Sequence, residues 1–346
     1  MKLSVDNTIG QYFAVKSVDF RRLQRIQGWE NRTRHPDPKK DDYTFYQLMG
    51  TIAKDLHRVT KAFDFSQIPN QPAILDMCFA PGGFATFALE ECPDACIKAM
   101  TLPFEQGGRE VHLSHKNLEV ESLDVTMLAA DMGITKDDVP RSQPDSNAFI
   151  FRKTFSAKDN FDLALCGGYI ARYQPRSQLR ELVEVSRLQI SQLALSLEHL
   201  KPGGTLVILL HDLGTWRTIK LLHTLDKFSH VDLYKHDNIC ADLSSFYGVA
   251  KNVQSDGPLA AKAVADWKEE WKILSLNPLN ENAKPNEGFL ADNEGVQEVL
   301  KEFGEKVVRM GRRVWKTQER ALSKAPPNVS SRGRDSSDWR ASMSHS

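Results

Sequence analysis

Apolar positions recur at two spacings along this chain of 346 residues, and the change of spacing divides it. Between residues 43 and 63, Phe45, Leu48, Ile52, Leu56, Val59 and Phe63 fall three or four apart. That lays one apolar stripe along an amphipathic helix. Residues 11–30 mix Phe13, Val15, Val18, Phe20, Leu23 and Ile26 with basic residues and also read as helix. Residues 31–42 hold two prolines and many charges and read as a loop.

From residue 70 the apolar runs become short and nearly continuous. Strands are predicted at 73–77, 95–102, 118–125, 161–166, 205–210, 228–234 and 246–250. Helical patterns separate several of them, at 84–91, 179–200 and 216–227. Apolar strands alternating with helices predict an α/β fold: a seven-stranded, mostly parallel sheet covered on both faces. After residue 258 the pattern is helical again, at 259–274 and 296–322, with a loop at 277–288. The Ser-, Arg- and Pro-rich segment 323–346 is expected to be disordered. The predicted organisation is a helical extension (1–42), a core domain (43–255), a second helical extension (256–322) and a tail (323–346).

Composition adds little until charge is placed along the chain. The total is 45 basic against 45 acidic residues. Residues 1–62 carry 12 Lys and Arg against 7 Asp and Glu, and residues 301–346 carry 11 against 5. The middle is therefore acidic, with 22 against 33. Basic ends on an acidic body suit a polyanion such as RNA. Solvated faces of surface helices are the plainer reading, because neither end shows a dense basic cluster. No apolar run approaches the ~20 residues that cross a bilayer. Cys78, Cys92, Cys96, Cys166 and Cys240 are scattered and odd in number. They read as reduced thiols, with neither a disulfide framework nor a metal site expected, and an intracellular location, cytoplasm or nucleus, is the expectation.

Chemistry concentrates where the first strand ends. Asp76 leads through Met77-Cys78-Phe79 into Ala80-Pro81-Gly82-Gly83-Phe84 and a helix. Glycines let a backbone approach a ligand and adopt positive φ. The following helix N-terminus favours an anion. Neither G-x-G-x-x-G nor a phosphate-binding G-x-x-x-x-G-K loop is present. A second turn, Leu200-Lys201-Pro202-Gly203-Gly204-Thr205, reads as a structural link from helix to strand.

Together the Asp76–Phe84 loop, the strand Phe161-Asp162-Leu163-Ala164-Leu165-Cys166 and the Leu200–Gly204 turn resemble the FtsJ-type methyltransferases over about residues 43–255. Glu105-Gln106-Gly107-Gly108 and Ser244-Ser245-Phe246-Tyr247 resemble a fungal branch of that family. The resemblance implies a Rossmann-like class I methyltransferase fold, S-adenosyl-L-methionine (SAM) as donor and an RNA ribose 2′-hydroxyl as acceptor.

Carried over residue by residue, the resemblance assigns Gly82, Gly83 and Phe84 to the cofactor loop and Asp76 to the cofactor ammonium. Thr101 stands where the family has an acid for the ribose, with Glu105 nearby. Asp124 or Asp131 falls at the adenine contact; either also reads as a helix cap or surface acid. The family's Lys-Asp-Lys-Glu set falls on Gln47, Gly167, Leu209 and Ser245, so none of its charges is kept. Other polar residues at strand ends are His211 and Asp212, then Lys235, His236 and Asp237. His211 is the candidate base, against the plain alternative of a solvated strand end. Cys166 reads as a small structural residue, not a nucleophile.

Two functions follow: an active SAM-dependent methyltransferase, or a non-catalytic relative that binds RNA or a protein. For the second, Trp29, Trp315 and Trp339 are candidate exposed stacking residues. Trp267 and Trp271, four apart, are expected to pack against the sheet.

Overall fold

The computed structural model describes residues 5–26, 42–169, 176–276 and 293–324. Trp29, Trp339, the loop 277–288, the tail beyond 324 and nearly all of the loop 31–42 lie outside the described residues. The described residues form eight α-helices and seven strands: α1 (Val5–Lys16), α2 (Val18–Gln24), α3 (Asp42–Thr60), β1 (Ala73–Asp76), α4 (Gly83–Glu91), β2 (Cys96–Thr101), β3 (Leu118–Ser122), β4 (Phe161–Cys166), α5 (Gln178–Glu198), β5 (Leu200–His211), α6 (Trp216–Asp226), β6 (His230–Tyr234), β7 (Ser245–Val253), α7 (Pro258–Leu276) and α8 (Asn293–Lys324).

The strands make one sheet in the order β3-β2-β1-β4-β5-β7-β6. β7 runs antiparallel to both β5 and β6, and the other pairs are parallel. This is the mostly parallel, Rossmann-like sheet that the alternation of strands and helices predicts, with β7 antiparallel near one edge. Strand alternation divides the core in two. Leu75, Ala164, Leu206 and Ile208 face a layer that includes α5, α6, α7 and α8. Ile74, Leu163, Leu165 and Val207 face α3 and α4. Both faces are buried, so the strands read as continuous apolar runs rather than alternating ones.

Three expectations need correction. The single helix predicted over 11–30 is two, α1 and α2, broken at Ser17. Its backbone is extended (φ −127°, ψ 121°) and its hydroxyl accepts from the Phe20 amide at 3.2 Å. An N-cap inside an apolar pattern leaves the apolar spacing almost unchanged, so periodicity alone passes over it. The Leu200–Gly204 turn is part of β5, whose register against β4 shifts between Phe161 and Leu163, so the glycines form a bulge inside a strand. Trp315 is not exposed: at 2% accessibility it packs on Phe13 and Phe20, with ring centroids 5.1 and 5.2 Å away. Trp271 and Trp267 are buried in the core as expected, and the Trp271 indole donates to Thr126 O at 3.0 Å.

Candidate functional site

A cavity of about 330 Å³ opens at the carboxyl ends of the strands. In an open α/β sheet that end, beside the switch of strand order at β1 and β4, is where ligands sit. On one side lie Asp76, Cys78, Phe79, Ala80, Pro81, Gly83 and Phe84, from the β1–α4 connection. Gly82 does not line the cavity; it shapes the turn. It caps α4 in the left-handed region (φ +109°), and a Cβ there would lie 3.0 Å from the Phe79 ring and 3.2 Å from Leu113. Gly83 serves packing, because a Cβ would fall 2.7 Å from the Gly50 nitrogen and against Tyr46 O on α3.

Asp76 is 3% exposed at the cavity floor. Its carboxylate accepts from the Cys78 amide at 3.3 Å. Burial pushes its carboxyl up to about 7, and the Cys78 hydrogen bond offsets only part of that. A buried acid with so little compensation suits a cationic or donor-rich ligand group. Thr101 ends β2 and lines the cavity, whereas Glu105 is exposed on a short turn.

Asp124 and Asp131 are absent from the cavity lining. Asp124 caps a 3₁₀ turn, accepting from the Thr126 amide at 3.0 Å and from Arg180 at 2.7 Å. Arg180 also pairs with Glu184, which bonds Arg187 at 3.0 Å, and Arg187 reaches Thr126 O at 2.8 Å. Asp131 is buried and accepts from the Thr154 and Phe155 amides at 3.0 and 3.2 Å.

The other side of the cavity is built by β4, β5, β6 and β7. Of the four positions the resemblance assigns to charged residues, Gly167, Leu209 and Ser245 line it and Gln47 is exposed on α3 outside it. Gly167 faces open space, with nothing within 4 Å of where a Cβ would stand. His211 and Lys235 line the same side. Lys235 is 2% exposed, and its ammonium donates to Cys240 O, Leu243 O and Ser245 O at 3.2, 2.7 and 2.6 Å. Burial lowers its ammonium to about 8. His236 Nδ1 accepts from the Asn238 and Ile239 amides at 3.1 and 2.9 Å. Asp212 Oδ1 accepts from Gly214 at 2.9 Å. Asp237 turns away to bind α8. Cys166 is buried, lies 3.2 Å from the Ser196 hydroxyl, and has its thiol pushed up to about 12 by burial, which disables it as a nucleophile. All five cysteines are free.

A third wall was not foreseen. Arg109, Phe45, Tyr169 and Asp42 line the cavity where the β2–β3 connection meets α3. The Arg109 guanidinium lies 4.3 Å over the Phe45 ring, bonds the Tyr169 hydroxyl at 2.5 Å and pairs with Asp42. No short motif joins these positions, because three separate connections bring them together. Of the segments with fungal-type resemblance, Gly107, Gly108, Ser244, Ser245, Phe246 and Tyr247 also line the cavity. Among the described residues no three His, Cys, Asp or Glu are placed to hold a metal. None of the described helices is long and apolar enough to cross a membrane.

Comparison with known proteins gives three findings. A family model described as FtsJ-like methyltransferase matches residues 53–252. The ribosomal RNA small subunit methyltransferase B of Klebsiella pneumoniae is 33% identical over 147 residues, 40% of this chain and 29% of that protein. The chain thus spans less than a third of that relative. Among solved structures, a ribosomal RNA methyltransferase from Plasmodium falciparum aligns at TM-score 0.37 and 12% identity, over 60% of this chain and 97% of that one. Human N-acetylserotonin methyltransferase, solved with SAM, aligns at TM-score 0.34 and 14% identity, over 73% and 72%.

Proposed function

The chain belongs to the FtsJ-like methyltransferase family, and we propose that it transfers the methyl group of SAM to a ribose hydroxyl of RNA. One observation carries the cofactor half: a buried, undercompensated Asp76 on the floor of a cavity whose adjoining turn is fixed by Gly82. The residues fit the cofactor. Asp76 would hold its ammonium, the N-terminus of α4 its carboxylate, and Phe84 and Thr101 line the remainder. Bound there, SAM supplies an electrophilic methyl on a positively charged sulfur. RNA as acceptor is supported by the name of the Klebsiella relative.

On the acceptor side the chain's own residues do different work from the family's set. Val207 and Leu209 give that side apolar surface. Gly167 leaves room for the incoming group. His211 is the side chain proposed to take the hydroxyl proton, being one of few bases on that wall. Alignment of the reacting atoms supplies much of the acceleration in such a site.

A second reading rests on the same wall. With Gly167, Leu209 and Ser245 at the positions the resemblance assigns to charges, the chain reads instead as a binder that holds SAM and RNA without transfer. Labelled SAM incubated with total cellular RNA separates the two. Label in RNA that is lost in Gly82→Val supports transfer. An unlabelled RNA pool with SAM affinity intact in calorimetry overturns transfer and leaves the binder.

A further inference from the structure

We propose that α2 and the C-terminal half of α8 form one basic ridge beside the cavity, and that it holds the phosphate backbone of single-stranded RNA. This rests on RNA being the acceptor. Both helices lie outside the family match of residues 53–252. They come from opposite ends of the chain, yet Phe20 of α2 packs on Trp315 of α8 at 5.2 Å, and α2 and α8 share an extended contact.

The ridge is placed by two anchors at the carboxyl edge of the sheet. Leu213, just after β5, meets α8 at Gly311. Asp237, just after β6 and beside the cavity-lining Lys235 and His236, accepts from Arg320 at 3.1 Å and Thr317 at 3.1 Å and lies 3.5 Å from Arg313. The second half of α8 therefore runs alongside the acceptor wall.

Its charge is one-sided. From Lys306 to Lys324 there are seven Lys and Arg and a single acid, Glu319. Arg312, Lys316, Arg320 and Lys324 are exposed at intervals of four, one cation about every 6 Å along one face. Arg22 is exposed on α2 and Arg25 is exposed at its C-cap. Among the described residues Arg22, Arg25, Arg312, Lys316 and Lys324 have no ion-pair partner. An ordinary solvated face intersperses both signs, since like charges four apart destabilise a helix. Here the repulsion is kept, which is what a polyanion would relieve. A ridge of cations fixes RNA by its phosphates without reading sequence.

The test uses the full chain and a fluorescein-labelled, unstructured 20-nucleotide RNA, titrated by anisotropy between 50 and 300 mM KCl. One variant carries Arg312→Gln, Lys316→Gln and Lys324→Gln and leaves the Arg320–Asp237 anchor in place. A control carries Lys158→Gln, Lys220→Gln and Lys227→Gln, exposed lysines elsewhere. The ridge variant is expected to lose about 2 from the slope of log K against log salt, and about 100-fold in affinity at 0.1 M salt. The control is expected to stay within about threefold, with both variants melting as the parent does. Ridge and control variants losing equally, or a ridge variant that binds like the parent, would overturn the proposal. SAM calorimetry on the same proteins keeps the two readings apart. Parent RNA binding that survives intact in the ridge variant sinks the ridge alone, parent protein that binds SAM but no RNA sinks the RNA reading and the ridge with it, and RNA held by the ridge without SAM affinity sinks the cofactor reading alone.

Discussion

The two sides of the cavity differ in how they are made. The β1–α4 side is one continuous stretch of nine residues, from Asp76 to Phe84, in which turn, helix start and acid follow one another. The acceptor side takes Gly167, Leu209, His211, Lys235 and Ser245 from four strands spread over some eighty residues. A local motif fixes its own geometry. A wall assembled from distant strand ends can change its chemistry one residue at a time while the sheet stays the same. On the resemblance, that is the pattern here: the loop follows the family's form, and the positions assigned to charges on the opposite wall hold a glycine, a leucine and a serine.

The sharpest way to break the comparison is at the glycine pair. Gly82→Val places a branched side chain at φ +109° against Phe79. Strain and clash together come to about 3 kcal/mol. The loop escapes by leaving its binding shape, so SAM affinity in calorimetry should fall about 100-fold. Gly83→Ala acts differently, by pressing α4 off the Gly50 nitrogen and Tyr46 O of α3. It should cost about 1–3 kcal/mol in urea unfolding. If Gly83→Ala left stability untouched, the close approach of α3 and α4 would be wrong.

Much of this was open to sequence reasoning, for reasons the residues themselves give. β4 runs as predicted over Phe161–Cys166 because its residues are buried on both faces and bounded by polar positions. Asp76, Gly83, Phe84 and Thr101, assigned to the cofactor by the resemblance, line the cavity, whereas Gly82 and Asp124 from the same assignment do not. What was not legible depends on partners far away. Trp315 looked exposed in a run of basic residues, but α1 and α2 cover it from the other end of the chain. Arg109 joins Phe45 and Tyr169 through contacts spanning some sixty residues in each direction. Asp124 depends on Arg180, fifty-six residues later. No periodicity encodes such pairings.

Asp76 offers a pH test of the cofactor side. Its folded value, about 7, lies above the ordinary 3.8. Its contribution to stability is therefore present below about pH 4 and lost as pH rises through 7. Ligand-free protein should melt lower at pH 8 than at pH 5.5. SAM, whose ammonium favours the charged carboxylate, should bind more tightly as pH rises across the same window. In Asp76→Asn both trends should flatten. A parent whose SAM affinity is level from pH 5.5 to 8 would remove Asp76 from the ammonium contact.

Lys235 plays the matching part on the acceptor side. Its folded value of about 8 lies below 10.5. Its contribution is present above 10.5 and lost as pH falls through 8. Lys235→Met leaves the carbonyls of Cys240, Leu243 and Ser245 without their donor. A cost of about 1–3 kcal/mol is expected. If Lys235 only fastens that loop, kcat should keep its pH profile in the variant. A limb near pH 8 that disappears with the lysine would make it a participant in proton transfer.

The smallest structural effect is expected at Gly167, and it carries the most information about the wall. Nothing stands within 4 Å of its missing Cβ, so Gly167→Ala should change unfolding free energy by no more than about 0.5 kcal/mol. Gly167→Asp returns a carboxylate to the place where the resemblance puts one. His211 and Lys235 line the same cavity, so that acid would add a charge to the wall they share. If the wall works by its present residues, the added charge should disturb their protonation and lower transfer to RNA. If the wall is idle and the chain only binds, transfer should stay at zero and SAM affinity should stay where it was. An increase in transfer would mean that the acceptor side still accepts the family's chemistry and lacks only the charge.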